Sequence, residues 1–150
     1  MKKYVFLILT ILSFSCDDTE FNDPAFEATR NNSFWEASVF EATLGSNSSL
    51  RITAIASGQE TIVLDIPSAA VNATYVLGPE QNSVAIYRIG GEASYTTADR
   101  GEGEIRITDI SNNTVSGTFK FVAFQEGIDI PISFQNGNFI GVPINTNPSL

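Results

Sequence analysis

Apolar and polar residues alternate with a period of two through most of the chain beyond residue 34. Trp35, Ala37 and Val39 alternate with Glu36, Ser38 and Phe40, and Ile62, Leu64 and Ile66 with Thr61, Val63 and Asp65. Ile105 and Ile107 alternate with Glu104, Arg106 and Thr108. Gly117, Phe119, Phe121 and Ala123 alternate with Ser116, Thr118, Lys120 and Val122, and Ile128, Ile130, Ile132 and Phe134 with Asp129, Pro131, Ser133 and Gln135. Successive strand side chains point to opposite faces, so this pattern predicts strands with one buried and one wet face. No stretch sustains the 3.6-residue period of an amphipathic helix.

Turn chemistry separates the runs: Gly45-Ser46-Asn47-Ser48, Ser57-Gly58, Gly90-Gly91, Gly101-Glu102-Gly103, Ser111-Asn112-Asn113, Glu126-Gly127 and Asn136-Gly137. These residues supply the positive φ of tight hairpins. The three Asn-x-Ser/Thr sites at Asn47, Asn72 and Asn112 are read as turn formers as well. The expected fold class is all-β, an antiparallel meander of about nine or ten strands forming a barrel or a two-layer sandwich. Pro131 lacks an N–H, which places its strand at an edge or at a bulge.

The start of the chain follows a different pattern. Lys2 and Lys3 precede an apolar run from Tyr4 to Phe14, and Ser13 and Ser15 lead into Cys16, the single cysteine. The run is about half the roughly 20 residues of a spanning helix. Residues 1–15 are therefore expected to be a signal peptide, and Cys16 the site of lipid attachment. At about 0.8 kcal/mol per buried methylene, a multiply acylated cysteine is an effectively permanent anchor. Residues 16–33 are rich in Asp, Glu and Asn and are expected to form an acidic tether. One β domain is expected over residues 34–150.

Asp17 and Asp18 resemble the acidic export tag of Bacteroidota-type lipoproteins. The expected location is the outer membrane, lipid-anchored and facing the cell surface or the periplasm. Loss of residues 1–15 leaves six basic residues against 17 acidic ones, a net charge of −11. That charge repels nucleic acid and anionic head groups. The expected partners are the membrane, through the anchor, and a glycan or another envelope protein.

Composition narrows the chemistry. The chain has no histidine, which removes histidine-based triads and imidazole zinc sites. Acylation of Cys16 removes a free thiol, and no glycine-rich phosphate loop is present. Lys120, the only lysine beyond the leader, lies on the outward parity of its strand. Carboxylates remain: Glu41 and Asp109 share the parity of apolar neighbours and are the candidates for an inward-facing acidic pair, although as strand-end residues they are expected to meet solvent. Asp99, Glu102 and Glu104 crowd a glycine-rich turn and are the candidates for a weak calcium site. Trp35, Tyr87 and Tyr95 are the candidates for a sugar-stacking platform, since each offers a flat apolar face and a polar edge. No cofactor or catalytic residue is expected.

Gly103-Glu104-Ile105-Arg106-Ile107-Thr108-Asp109 runs through a turn into Val115-Ser116-Gly117-Thr118-Phe119-Lys120-Phe121. Asn136-Gly137-Asn138-Phe139 and Val142-Pro143 follow, and Trp35-Glu36-Ala37 and Ala73-Thr74-Tyr75-Val76-Leu77-Gly78 precede them. Together these segments resemble a family of small Bacteroidota lipoproteins catalogued as a domain of unknown function, over roughly residues 34–143. Ala73 stands where such members often carry glycine. The resemblance implies a β-rich extracytoplasmic domain and no activity. The leading expectation is an envelope binding or structural module. The alternatives are a lipocalin-like carrier with an apolar chamber and a carboxylate-dependent glycan hydrolase.

Overall fold

A computed structural model describes residues 23–91 and 93–145; the leader, Cys16 and the Asp17-Asp18 pair lie outside them. The all-β expectation holds, with eleven strands among the described residues. They are β1 (Ala25–Arg30), β2 (Ser33–Glu36), β3 (Val39–Leu44), β4 (Leu50–Ala56), β5 (Glu60–Ile66), β6 (Thr74–Leu77), β7 (Val84–Ile89), β8 (Ala93–Thr96), β9 (Glu102–Ser111), β10 (Thr114–Gln125) and β11 (Ile132–Asn145). One sheet runs β2-β1-β11-β10-β9-β6, and a second runs β3-β4-β5-β7-β8.

Two long strands join the sheets. β10 and β11 span 12 and 14 residues, enough to belong to both sheets. The end of β10 pairs Phe124 and Gln125 with Thr96 and Tyr95 of β8. The end of β11 pairs Ile144 and Asn145 with Ala42 and Thr43 of β3, in parallel. The hydrogen bonding therefore closes a ring, with β1, β2, β6 and β9 added to the first sheet. The meander is broken at β6, which pairs with β9 and not with β5, and β7 returns to pair with β5.

Aromatic rings fill the space between the sheets. Phe26, Trp35, Phe119, Phe121, Phe134, Phe139 and Tyr87 are all buried. Phe134 lies 4.9 Å from Phe121 and 5.0 Å from Tyr87, and Phe26 lies 5.0 Å from Phe119, centroid to centroid. Leu50, Ile52, Ile62, Leu64 and Ile66 face them from the second sheet. The described interior is a packed core.

The expected tether over residues 16–33 is corrected from Ala25 onward. β1 pairs with β11 and β2, and Phe26 is fully buried against Trp35, Phe119 and Phe139. Its short alternation of Phe26 and Ala28 is hidden among polar neighbours. The expected run Trp35–Ala37–Val39 also divides. The chain turns at Ala37-Ser38 from the first sheet into the second, so Trp35 faces the core while Val39 faces solvent. Ile128, Ile130 and Pro131 precede β11 instead of extending it. Arg100 pins this loop, donating to the Ile128 carbonyl and the Asp129 carboxylate.

Asn136-Gly137 is a bulge within β11, not a hairpin turn. Phe119 pairs with Gly137 and Phe121 with Phe134, so Gln135 and Asn136 together oppose Lys120. Asn136 takes the positive φ of 51° that the bulge needs, a conformation asparagine tolerates better than most residues.

Cross-strand glycines make room for the rings. Gly117 pairs with Phe139, and Phe119 with Gly137. A Cβ on Gly137 would lie 2.6 Å from the Phe119 ring. Gly137→Ala is expected to cost about 1–3 kcal/mol by overpacking, measured by chemical denaturation. Gly91→Ala, where a Cβ meets nothing within 4 Å, is expected to stay within about 0.5 kcal/mol of the parent.

Candidate functional site

The three aromatic candidates do not form a platform. Trp35 and Tyr87 are 4% and 0% exposed, and Tyr95 packs half-buried against Tyr87 at 6.0 Å. Trp35 and Tyr87 stand on the inward positions of β2 and β7, and that buries them. The polar edges of Trp35 and Tyr87 meet a charged pair instead. Arg30 at the end of β1 bridges Glu60 at the start of β5 at 2.5 Å and donates to the Tyr87 hydroxyl at 2.6 Å. The Trp35 indole N–H donates to the other Glu60 oxygen at 2.6 Å.

This cluster ties the β1–β2 hairpin to the second sheet. Burial pushes the Glu60 carboxyl upward, but the hydrogen bonds from Arg30 and Trp35 and the Arg30 charge outweigh it, and the net shift is down. Burial, with Glu60 nearby, pushes the Tyr87 hydroxyl up to about 12 against the opposing pull of Arg30. A depressed carboxyl and a raised phenol suit a structural latch. They do not suit an acid or base poised near neutral pH.

The acidic candidates stay apart. Glu41 faces solvent and accepts from the Asn145 side chain at 2.8 Å. That is the solvent position expected of a strand-end residue, and the parity shift at Ala37-Ser38 sets it there. Asp109 also faces solvent and accepts from Ser111. Ser116 opposes Asp109 while Gly117 opposes Ile107, so an extra residue in β9 turns Asp109 outward. The two acids sit on strands that do not pair with each other. At the expected calcium turn, Glu104 pairs with Lys120 at 3.2 Å, and Arg100 of the same turn binds Asp129. Among the described residues no three acids cluster to hold a metal.

A different feature emerges on the outer face of the first sheet. Three surface hollows of about 620, 340 and 440 Å³ lie side by side there. Gln135 lines all three, and Asn136, Glu104 and Lys120 are each shared by two. They form one open furrow across β1, β11, β10, β9 and β6. Strand register explains its lining. Phe34 pairs with Thr29, Thr29 with Gln135, Lys120 with Glu104, and Glu104 with Val76. Directly paired residues share a face, so these side chains form one transverse row. Six strands about 4.8 Å apart make the row roughly 24 Å long.

The row has apolar ends and a polar middle. Phe34 is 70% exposed and Val76 58%. Between them lie Thr29, Gln135, Asn136 and the Lys120–Glu104 ion pair, with Asn31, Asn32 and Asn138 alongside. The β11 bulge is what turns the adjacent Gln135 and Asn136 amides outward together. Sequence reading missed this site because it expected Asn136-Gly137 to end a strand. The available signal was parity: a strand that buries Trp35 must expose Phe34.

A family model described as Domain of unknown function (DUF6252) matches residues 22–143. The chain belongs to the DUF6252 family. The matched stretch includes β1 and every residue of the furrow row, so both are parts of the DUF6252 domain proper. No curated protein and no solved structure matches the chain.

The latch gives the DUF6252 domain a defined pH response. The depressed Glu60 pKa contributes stability that is present above about pH 4.3, the free glutamate value, and is lost as pH falls below it. The raised Tyr87 pKa contributes stability that is complete below about pH 10 and is lost as pH rises toward about 12. Glu60→Gln is expected to cost about 1–2 kcal/mol at pH 7, with the deficit shrinking in acid. Tyr87→Phe is expected to flatten the loss of stability above pH 10. Urea unfolding at matched pH values measures both.

Proposed function

We propose that the protein is a lipid-anchored, extracytoplasmic module of the bacterial cell envelope that binds a partner and performs no catalysis. The observation that carries the binding reading is the furrow. Its central amides are turned outward by a bulge in a long strand, a device that elsewhere re-aims side chains at functional sites. The anchor reading rests on the basic and apolar leader ending at Cys16. With β1 beginning at Ala25, about nine residues separate the lipid from the fold, roughly 30 Å if extended. Outer-membrane attachment of Bacteroidota type, and display on the cell surface, belong to this proposal and rest on Asp17-Asp18.

The absence of catalysis is supported by the separation of Glu41 from Asp109 and by the downward shift of Glu60. The packed aromatic interior disfavours a lipocalin-like carrier, which needs an apolar chamber. The membrane is the first partner, through the lipid. The second is whatever the furrow takes.

Metabolic labelling with an alkyne-tagged palmitate tests the anchor. The parent chain is expected to carry the label and to fractionate with the membrane, and Cys16→Ala to lose both. An unlabelled parent recovered from the cytosol would falsify the anchor.

A further inference from the structure

We infer that the furrow on the outer face of the first sheet binds an uncharged oligosaccharide, with Phe34 as its stacking platform and Gln135 and Asn136 as its central hydrogen-bonding pair. The inference deepens the binding reading above and rests on it.

Four observations converge on this ligand class. The furrow lies on the face of a sheet and crosses five of its strands, with Phe34 of β2 at the end of its row, which suits an extended chain lying across the strands. A peptide recognised through its backbone would instead add to a sheet edge. The middle of the row holds carboxamides and hydroxyls. Each carboxamide both donates and accepts, which matches sugar hydroxyls, groups that do the same. The two charges in the row neutralise each other, Lys120 against Glu104, and the mature chain carries a net charge of −11, so a polyanion is disfavoured. Protein interfaces favour aromatic and arginine centres and are depleted in Lys, Glu and Ser, the reverse of this lining.

Phe34 supplies what amides cannot. At 70% exposure it offers a flat apolar face beside Thr29, suited to the C–H face of a sugar ring. The geometry of β11 supplies the rest. Gln135 and Asn136 are consecutive and both exposed, so two amides sit where a regular strand would offer one. Asn136 holds a positive φ to do so.

Calorimetric titration of the full lipidated chain in detergent tests the inference. The probes are maltohexaose, cellohexaose, mannohexaose and xylohexaose, with hexagalacturonate as the acidic comparison. At least one neutral hexasaccharide is expected to bind, and hexagalacturonate is not. Phe34→Ala and Asn136→Ala are each expected to weaken binding about tenfold, the scale of one lost stacking or hydrogen-bonding contact. Phe34→Trp is expected to keep it. Val39→Ala, on the exposed face of the second sheet, is expected to change nothing. The inference fails if none of the four neutral probes binds, if hexagalacturonate binds as well as they do, or if Val39→Ala weakens binding as much as Phe34→Ala. Such a failure with the palmitate label intact leaves the anchored module standing. Loss of the label with sugar binding intact removes the anchor and keeps the furrow.

Discussion

Across the β10–β11 pair, two phenylalanines lie over two glycines in a reciprocal exchange. Phe119 covers Gly137 and Phe139 covers Gly117. A side chain at either glycine would collide with the opposing ring, so these pairs fix how the two strands can register. Phe121 against Phe134 fixes the next contact along. One residue separates Phe119 from Phe121, but two separate Phe134 from Gly137. The surplus residue must leave the ladder, and it leaves outward. Packing inside the sandwich thus dictates the pair of amides outside it. Gly103 extends the arrangement to β9, where it pairs with Phe121.

The same two strands hold the molecule together. Each is long enough to begin in one sheet and finish in the other, so closure of the ring rests on β10 meeting β8 and β11 meeting β3. The remaining gap, at the β1–β2 hairpin, is tied by Arg30, Glu60, Trp35 and Tyr87 across sheets that share no ladder there. Residues with the reputation of a binding site, a tryptophan, a tyrosine and an ion pair, serve as the latch.

Much of this was legible in the residue pattern. The inward sets Ile62, Leu64, Ile66 and Phe119, Phe121, Ala123 are buried as their alternation requires. Asn112 and Asn113 make the positive-φ hairpin between β9 and β10 that their chemistry suggests. Period two, however, carries no information about where a strand skips a beat. The corner at Ala37-Ser38 and the bulges in β9 and β11 each invert parity: the corner turns Val39 outward, the β9 bulge turns Asp109 outward, and the β11 bulge sets Gln135 and Asn136 side by side. Asn-Gly has the same backbone preference in a turn and in a bulge, and only the distant partners Phe119 and Ala28 decide between them. β1 was invisible because it has few apolar residues, and its stability comes from β11, more than a hundred positions away. The furrow was invisible for the same reason, being assembled from five strands by register alone.

Deleting Asn136 separates what the bulge does for the fold from what it does for binding. Without it, Gln135 alone opposes Lys120, Ala28 opposes Gly137, and every inward residue keeps its face. The account predicts that the deleted chain folds with a thermal midpoint within a few degrees of the parent and binds the parent's neutral hexasaccharide about tenfold or more weakly. A deleted chain that binds as well as the parent, or one that fails to fold, would contradict it.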